Sequence, residues 1–378
     1  DIMYILIVSR GYPNSRYKKN GLFEFDQAKA LTKIGHKVIF AVIDLRSIKK
    51  RRKWGFESFI KDGVRVEVIN LPIGKKFSKF LGVYAFDILY KKVIKKYGKP
   101  DIIHSHFIWI GYIVQKYFKN KRDSIPLVLT EHYSGMNLEK LDFNLKKMGE
   151  ETYYSVDKVI TVSSHLAKNL KKHFGIDSVV IPNIVDTTNF KFQPRCEFNS
   201  DFNFICTGSL LKNKRIDILI DAFYYAFKNN KQVKLYIYGQ GPEKVNLEKK
   251  ISEYQIENQV FLMGQVDRSE IAKKMAESDC FVLVSKRETF GVSLIEAMAV
   301  GLPVISTKSG GPEDFVNEEN GLLVSVDNKE QLISALQFMY KNINTFNRKK
   351  ISEQTLKRFS PETVAKQLTN FYESILND

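Results

Sequence analysis

The chain has 378 residues, of which 44% are hydrophobic and 27% charged, the proportions of a folded globular protein rather than a disordered one. This length exceeds one ordinary hydrophobic core, so two domains of about 150–200 residues are expected. The formal net charge of +17 indicates an anionic partner, and no apolar stretch approaches the ~20 residues that a membrane-spanning helix needs.

The positive charge is concentrated in the first half of the chain. Residues 1–190 carry 34 Lys and Arg against 18 Asp and Glu, whereas residues 191–378 carry 25 against 24. The candidate partners of such a surface are nucleic acid, anionic lipid or an anionic substrate. Three scattered cysteines (Cys196, Cys206 and Cys280) lack metal-ligand spacing and suit a reducing compartment. With no signal-peptide pattern in this sequence, we expect a cytoplasmic protein, soluble or peripheral on the inner face of the membrane.

The first half alternates short apolar strands with helical segments. A strand is predicted over residues 4–8, a helix over 22–34 that ends at Gly35, and a second strand over 37–43. Further strands are predicted near residues 101–105, 127–130 and 158–162. Their β-branched runs show little polar alternation, which is typical of parallel strands buried on both faces. A doubly wound α/β sheet is the expected product.

A second series of strands follows a segment rich in turn-forming residues. Residues 181–194 contain two prolines and form the best linker candidate. Strands are then predicted near residues 202–206, 233–238, 260–262, 280–284 and 303–306. We therefore expect an N-terminal Rossmann-like domain over 1–187 and a C-terminal one over 188–359. The C-terminal helix, about 360–378, is expected to pack back on the first domain.

Residues 278–306 carry the most informative pattern. A strand leads to a loop containing Glu288, and a helix that begins near residues 290–292 carries Glu296. The free N–H groups of a helix start bind phosphate or pyrophosphate, and Gly291 permits close approach of the backbone. Eight residues of helix correspond to about 12 Å, which would place one carboxylate on each side of a diphosphate. The alternative is an ordinary strand–helix unit with solvated glutamates.

This stretch resembles the E-x7-E signature of retaining glycosyltransferases of the GT-B fold, family four, which use nucleotide-diphosphate sugars. Companion segments occur in the same order along nearly the whole chain: Asn20-Gly21, Gly35-His36, His104-Ser-His106, Thr130-Glu-His132, residues 181–186, 207–214 and 238–242, Gly310-Gly311, and residues 320–324. The resemblance implies two Rossmann-like doubly wound parallel-sheet domains that face a central cleft. It also implies that the nucleotide-sugar donor binds the C-terminal domain.

The resemblance also implies roles for individual residues. Glu288 would accept hydrogen bonds from donor-sugar hydroxyls, and Glu296 would bind the ribose. Lys214 would neutralise the departing diphosphate, where a fixed cation lowers the barrier because charge develops in the transition state. The main chain of Phe290, Gly291 and Val292 would hold the phosphates. Without the family match, Lys214 would be a solvated lysine.

Two segments depart from the family pattern. Ser209 stands where relatives often carry an arginine, and Lys212 or Arg215 is left to supply the missing charge. Relatives also often have glycine at the position of Arg215. The usual Gly-Gly of the first loop is Asn20-Gly21, where Gly21 keeps the close approach to the diphosphate and Asn20 is expected to tolerate a positive φ. Asn20 is an acceptor-side candidate.

Two histidines follow strands of the first domain. His132 resembles the family's histidine beside the reacting sugar, and His106 is a second acceptor-side candidate. A neutral imidazole can donate a hydrogen bond to a sugar oxygen, although a histidine at a strand end more often has a structural role. No paired carboxylates suited to a divalent ion are present, so neither a metal nor another cofactor is expected. The family implies retention of the anomeric configuration, for which we expect front-face substitution.

The acceptor is expected on the basic first domain: a glycan, a polyisoprenyl-diphosphate-linked sugar or a glycolipid. Two basic segments, Arg46 to Trp54 and Lys75 to Lys99, are candidates for contact with anionic membrane, the second as an amphipathic helix. In the alternative, that helix covers the sheet with its apolar stripe and its lysines are solvated.

The sequence therefore predicts a glycosyltransferase, of hexosyltransferase type, that uses a UDP-sugar in preference to a GDP-sugar. Its expected place is bacterial surface polysaccharide or glycolipid biosynthesis. A nucleotide-sugar epimerase of similar fold is the alternative. An oxidoreductase is disfavoured because residues 239–242 lack the third glycine of GxGxxG, and nucleic acid binding because no recognition motif accompanies the charge.

Overall fold

The computed structural model describes residues 2–74, 78–119, 121, 125–194 and 201–377. The chain forms two compact units, the first made of Asp1–Ile184 and Pro361–Asp378 and the second of Val185–Ser360. Each unit is an α/β domain built on a mainly parallel sheet, which confirms the predicted fold class.

The first unit contains an eight-stranded sheet. Its strands are β1 (Tyr4–Ser9), β2 (Lys37–Asp44), β3 (Gly55–Lys61), β4 (Val64–Asn70), β5 (Ile102–His106), β6 (Leu127–Glu131), β7 (Lys158–Thr161) and β8 (Val179–Val180). Their order is β3-β4-β2-β1-β5-β6-β7-β8, and every pair is parallel except β3 with β4. The antiparallel hairpin β3–β4 was not among the elements predicted from the sequence.

The second unit contains a six-stranded parallel sheet. Its strands are β9 (Phe202–Thr207), β10 (Val233–Tyr238), β11 (Val260–Gly264), β12 (Cys280–Leu283), β13 (Val304–Thr307) and β14 (Gly321–Val324). The order β11-β10-β9-β12-β13-β14 is the dinucleotide-binding order 3-2-1-4-5-6. In such sheets the ligand binds at the carboxyl ends of the two strands where the order reverses, here β9 and β12.

Helices cover both faces of each sheet. They are α1 (Leu22–Lys33), α2 (Ser78–Tyr97), α3 (Ile108–Phe118), α4 (Phe143–Tyr153), α5 (Ser164–Phe174), α6 (Ile216–Phe227), α7 (Lys244–Glu253), α8 (Arg268–Ala276), α9 (Val292–Ala299), α10 (Lys329–Asn342), α11 (Arg348–Phe359) and α12 (Pro361–Leu376). Polar side chains cap several helix starts and satisfy their free N–H groups, as Ser163 does for α5 and Asp142 for α4.

The last helix, α12, belongs to the first unit. Its buried face, which includes Leu368 and Tyr372, joins the core formed by β1, β2 and α1. The Tyr372 hydroxyl lies 2.6 Å from His104 Nδ1, and Glu362 pairs with Lys33 at 2.8 Å. The first unit is therefore completed by residues from the far end of the chain.

Helix α2 buries a different face from the one expected. The residues that enter the core are Gly82, Ala85, Phe86, Leu89, Tyr90 and Val93. The stripe predicted from helical spacing was Phe77, Phe80, Leu81, Tyr84 and Ile88, and of these Phe80 and Tyr84 are instead 83% and 62% exposed. Lys75, Lys76 and Phe77 lie outside the described residues. Helix α2 therefore does cover the sheet, through Phe86, Leu89 and Val93, and its lysines at 91, 92, 95 and 96 are exposed, which agrees with the alternative except for the residues that form the stripe. Among the helices described, none combines the length and apolar content needed to cross a bilayer.

Candidate functional site

The loops after β9 and β12 meet at the switch point of the second unit. The Lys286 N–H donates to the Asn213 carbonyl at 2.7 Å, and the Asn213 side-chain amide donates to the Arg287 carbonyl at 3.0 Å. These two bonds hold the turn of residues 212–214 against the loop that leads to Glu288. As a result, Lys214 and Glu288, which are 74 residues apart, form an ion pair between Nζ and Oε1.

Glycines allow the loop after β9 to pack closely on the loop after β10. A β-carbon on Gly239 would lie 1.7 Å from the Gly208 carbonyl oxygen, and one on Gly241 would lie 2.4 Å from that of Leu210. The two glycines of residues 239–242 are thus explained by close backbone packing beside the site. This agrees with the rejection of a GxGxxG nucleotide motif there.

Helix α9 begins at the predicted place, with Gly291 as its N-cap at φ 94°. The side chain of Phe290 is buried and packs on Phe315 and Phe359, with ring centroids 5.2 and 5.6 Å away. Phe290 therefore anchors the loop with its ring and leaves its main chain to face the helix start. The first N–H groups of α9, those of Val292 and its neighbours, have no acceptor within the helix, as at any helix start.

The segment that contains Glu288 is fixed from a second side. The Glu288 N–H donates to the Ser309 carbonyl at 2.9 Å, and the Gly311 N–H donates to the Glu288 carbonyl at 3.0 Å. A β-carbon on Gly311 would lie 2.3 Å from Phe290 Cα, so this close packing requires glycine. The loop is thereby preorganised by backbone hydrogen bonds.

Glu296 lies in the second turn of α9 and is paired with a residue that the sequence analysis missed. Arg268, at the start of α8, places one nitrogen 3.4 Å from Glu296 Oε1 and another 3.4 Å from Asp186 Oδ2. The side chains of Glu288 and Glu296 are each only 12% exposed. The interpretation in which both glutamates are solvated is therefore wrong.

The two residues proposed to replace the family arginine differ in their surroundings. Arg215 contacts Asp217 and Asp327 and adopts a left-handed backbone with φ 50°. That conformation explains why glycine is frequent at this position in the family pattern. Lys212 is exposed and makes no ion pair within the described part of the chain. Ser209 is half-buried, and because Arg215 is engaged by two aspartates, Lys212 is the remaining candidate for the missing charge.

In the first unit, the switch point lies between β1 and β5. Gly21 caps α1 at φ 64°, and a β-carbon there would lie 2.0 Å from the Gly11 carbonyl oxygen. Asn20 does not adopt a positive φ, so its expected tolerance of that conformation is not used. Its side chain instead occupies the space where a β-carbon of Gly11 would lie. Gly21 alone carries the left-handed turn.

Both predicted histidines lie at this edge and contact each other. His106 ends β5 and His132 follows β6, with His106 Nδ1 3.0 Å from His132 Nε2. His104 stacks on His106 with ring centroids 4.4 Å apart. Burial, reinforced by the Arg10 charge, lowers the pKa of His132 to about 3, so its imidazole is neutral at physiological pH.

A buried carboxyl beside the histidines was also missed. Glu131 accepts hydrogen bonds from the Tyr153 hydroxyl at 2.6 Å and from the His132 and Tyr133 N–H groups at 2.9 and 2.8 Å. Burial raises the pKa of Glu131 to about 7 in spite of these bonds. Because the carboxyl accepts the N–H groups of two successive residues of the turn, it holds His132 in place.

Comparison with known proteins agrees with this geometry. The model "Glycosyltransferase Family 4" matches residues 25–189, and "Glycosyl transferases group 1" matches residues 188–358. A glycosyltransferase of Methanocaldococcus jannaschii is 29% identical over 82% of this chain and 85% of that protein. N-acetyl-alpha-D-glucosaminyl L-malate synthase of Bacillus anthracis is 26% identical over 74% of this chain and 76% of its own. A phosphatidylinositol N-acetylglucosaminyltransferase subunit of Arabidopsis thaliana is 21% identical, over 97% of this chain and 80% of its own.

Solved structures share the whole fold. Sucrose-phosphate synthase from Thermosynechococcus elongatus superposes with a TM-score of 0.81 at 19% identity, covering 99% of each chain. Anabaena HepE in complex with UDP gives a TM-score of 0.76 at 20% identity, covering 99% of this chain and 100% of the other. Together the family models span residues 25–358, and the chain belongs to the glycosyltransferases of family four, with the GT-B fold.

Proposed function

We propose that the chain transfers a sugar, with retention of configuration, from a nucleotide-diphosphate donor bound at the switch point of the second unit. The observation that supports this most strongly is the Lys214–Glu288 ion pair beside the start of α9, with Glu296 in the second turn of the same helix. Two acidic residues, one cation and a helix start are thereby brought to the place where such sheets bind ligands.

Each group has a role in the proposed reaction. Lys214 and the first N–H groups of α9 stabilise the negative charge that develops on the departing diphosphate. Glu288 releases Lys214 and accepts hydrogen bonds from donor-sugar hydroxyls, and Glu296 accepts those of the ribose. The departing phosphate assists deprotonation of the acceptor in a front-face substitution. His132 donates a hydrogen bond to a sugar oxygen as a neutral imidazole.

The donor proposed first is UDP-N-acetylglucosamine. The sequence favours UDP over GDP, and two relatives carry N-acetylglucosamine transfer in their names. Those names also include phosphatidylinositol and L-malate, so an inositol phospholipid and a small hydroxy acid join the glycan, the glycolipid and the polyisoprenyl-diphosphate-linked sugar as candidate acceptors. The bacterial polysaccharide or glycolipid role and the independence from metal remain parts of this proposal.

The test is a thermal-shift screen of UDP-, GDP- and ADP-sugars, followed by incubation of the best donor with candidate acceptors. We expect one nucleotide class to raise the melting temperature, and Glu288→Gln to abolish transfer. Glu330→Gln, an exposed acid of α10, is the matched control. Epimerised donor formed without an acceptor would contradict the proposal, as would a product with inverted anomeric configuration by NMR.

A basic apolar face of the first unit is proposed to contact anionic membrane. We define it as the exposed apolar side chains Ile48, Trp54, Phe80 and Tyr84 with the basic residues Lys49, Lys50, Arg51, Lys53 and Lys79. The Leu71 N–H donates to the Asp44 carbonyl at 2.9 Å, and Arg52 reaches the Leu71 carbonyl at 3.0 Å. These bonds hold the segment from Arg46 to Trp54 against Leu71, and the Gly74 N–H, four residues before α2 begins, donates to the Leu45 carbonyl at 2.8 Å.

Liposome co-sedimentation tests this membrane contact. Vesicles containing anionic lipid should bind the full chain, and Phe80→Ser with Tyr84→Ser should weaken that binding because apolar insertion is lost. Phe338→Ser removes a 45% exposed ring from α10 of the other unit and serves as the control. Equal binding by all three proteins, or by neutral vesicles, would contradict the contact.

A further inference from the structure

The switch point of the first unit carries a cation and aromatic side chains beside His132 that have no role in the proposed reaction. Within the sheet, β4-β2-β1-β5-β6-β7 repeats the order 3-2-1-4-5-6, so the order reverses between β1 and β5. Arg10 is the first residue after β1, and Phe107 is the first after β5. The two residues therefore occupy the place where a sheet of this topology binds its ligand.

Arg10 is an exposed cation held on an aromatic surface. Its guanidinium carbon lies 4.3 Å from the Phe107 ring centroid and 5.9 Å from that of Trp109. Within the described ranges it makes no ion pair and donates no hydrogen bond. A guanidinium that stacks on a ring keeps the N–H donors at its edge free for a planar oxyanion.

The acid on which the Arg10 charge acts, Glu24, forms no ion pair with it in the described part of the chain. Glu24, in the first turn of α1, is buried and receives a hydrogen bond from the Ser9 hydroxyl at 3.3 Å. Burial raises the pKa of Glu24, although the Arg10 charge acts in the opposite direction. Positive charge at this edge is therefore available to a ligand.

The aromatic surface beneath Arg10 is held in a strained conformation. Phe107 has φ 68° and ψ 145°, a backbone region that residues other than glycine rarely adopt. Its N–H donates to the Thr130 carbonyl at 2.9 Å, which fixes it to the next strand. The rings of Trp109 and Tyr133, 4.6 Å apart, extend the surface, and all three are partly exposed. Strain of this kind concentrates at ligand sites.

Buried hydrogen-bonding groups without partners adjoin the same surface. His132 is 7% exposed, its ring centroid lies 5.0 Å from that of Phe107, and its Nδ1 has no partner in the described part of the chain. The same holds for His106 Nε2. Buried polar atoms of a folded protein are nearly always satisfied, so these nitrogens call for a ligand or water.

We infer that Arg10, Phe107, Trp109, Tyr133 and His132 form the subsite for an acceptor that carries a phosphate or carboxylate oxyanion. The guanidinium binds the oxyanion through two N–H groups, the rings contact the carbon face of the acceptor, and His132 binds a hydroxyl. This inference rests on the proposed transfer reaction and names the chemical class of its acceptor.

The test measures binding of small anions to the full chain saturated with UDP, by calorimetry or ligand-observed NMR. The probes are sn-glycerol 1-phosphate with glycerol as its neutral match, and L-malate with dimethyl L-malate. The variants are Arg10→Gln and Arg10→Lys. Arg65→Gln is the matched control, because Arg65 is also exposed and lies 5.8 Å from a tyrosine ring, near the amino end of β4.

Wild type should bind at least one anion about tenfold more tightly than its neutral match, as expected for a charge-assisted bidentate contact. Arg10→Gln should remove that preference, Arg10→Lys should keep part of it, and Arg65→Gln should keep all of it. Preference for sn-glycerol 1-phosphate would indicate that the acceptor is a lipid with a phosphate headgroup. Preference for L-malate would indicate that the acceptor is a soluble carboxylic acid.

Three results would overturn the inference: no anion preference in wild type, an undiminished preference in Arg10→Gln and Arg10→Lys, or an equal loss in Arg65→Gln. Failure of the proposed function would give a different result. Wild type would then bind no nucleotide, and its preference for the anion over the neutral match would be measured in the absence of UDP. If Arg10→Gln does not fold, as its thermal melt would show, Arg10→Lys decides alone.

Discussion

The two units have the same strand order at their switch points but present opposite electrostatic designs there. In the second unit, the charges are paired: Lys214 with Glu288, and Arg268 with Glu296. In the first unit, the histidines are neutral and the exposed cation is Arg10, which rests on aromatic rings. The fold fixes where ligands bind, and the residues that follow each strand decide which chemistry is bound.

Paired charges suit a ligand that offers partners to both signs of charge. A nucleotide sugar offers a diphosphate for the cation and hydroxyl groups for the acids. When it binds, the diphosphate can replace Glu288 as the partner of Lys214, and a hydroxyl can replace Lys214 as the partner of Glu288. An aromatic surface with one cation suits a ligand with an apolar face and a single anionic group. This contrast can be tested from either side.

The largest expected effect is at Lys214. Lys214→Ala should lower the turnover number by about 10²–10³-fold, since one preorganised group that stabilises transition-state charge is removed. Steady-state kinetics with the donor found in the nucleotide screen measures it. Lys228→Ala, which removes an exposed lysine at the end of α6 in the same unit, is the control. A similar loss in both variants would mean that general positive charge, and not the paired lysine, is what matters.

The next effect concerns Glu296 and the ribose. Glu296→Gln should weaken UDP binding by about tenfold to a hundredfold, the range for hydrogen bonds to a charged acceptor, and leave pyrophosphate binding unchanged because pyrophosphate has no ribose. Calorimetry with both ligands measures this. Arg268→Gln should have a smaller effect, and the double variant should show coupling because the two side chains are 3.4 Å apart. Equal weakening of UDP and pyrophosphate would place Glu296 elsewhere on the ligand.

The neutral histidines of the first unit predict a pH dependence of stability. Burial lowers the pKa of His104 to about 3, so below about pH 6.5 the unfolded chain binds a proton that the folded chain does not. His104 therefore leaves the free energy of unfolding unchanged above about pH 6.5. As the pH decreases from there towards 3, His104 lowers that free energy by about 1.4 kcal/mol per pH unit.

Hydrogen exchange of the β5 amides measures the free energy of opening in this region against pH. His104→Gln should reduce the slope of this free energy against pH between about pH 6 and about pH 5. The variant should also be less stable at every pH, because it loses the hydrogen bonds to Thr130 and Tyr372. An unchanged slope would contradict a neutral His104. Exchange of the β9 amides, in the other unit, gives the internal reference.

The smallest effect is at Arg215. Arg215→Gly removes a left-handed backbone strain of about 1–2 kcal/mol and loses exposed ion pairs worth about 1 kcal/mol or less each. The net change in unfolding free energy should therefore be close to zero. Arg215→Ala loses the ion pairs and keeps the strain, so it should be less stable than Arg215→Gly by about 1 kcal/mol in urea unfolding. Equal stabilities would mean that the positive φ is not maintained in solution.

Much of the fold follows from local patterns in the sequence. The buried parallel strands form unbroken β-branched runs, and the start of α9 is marked by Gly291. The β3–β4 hairpin was missed although its signal is present. Asp62 and Gly63, with φ 47° and 81°, form the two-residue turn that joins Lys61 to Val64. Asp-Gly between two strands is a strong hairpin signal.

Other features of the site depend on long-range packing that a single sequence does not encode locally. Arg268 meets Glu296 because α8 and α9 are brought together by the sheet, and the positive φ of Phe107 is imposed by its bond to Thr130. Asn20 illustrates the reverse case. Its intrinsic tolerance of a positive φ was a sound expectation, yet Gly21 takes the turn and Asn20 fills the space above Gly11.

The return of α12 to the first unit has a consequence for synthesis on the ribosome. All of Val185–Ser360 emerges before the residues that cover Ile5, Val38 and His104 are made. The second unit can therefore reach its native state while the first still exposes part of its core to solvent and chaperones. We expect nascent chains arrested before Pro361 to protect the second sheet from proteolysis and leave the first open to cleavage.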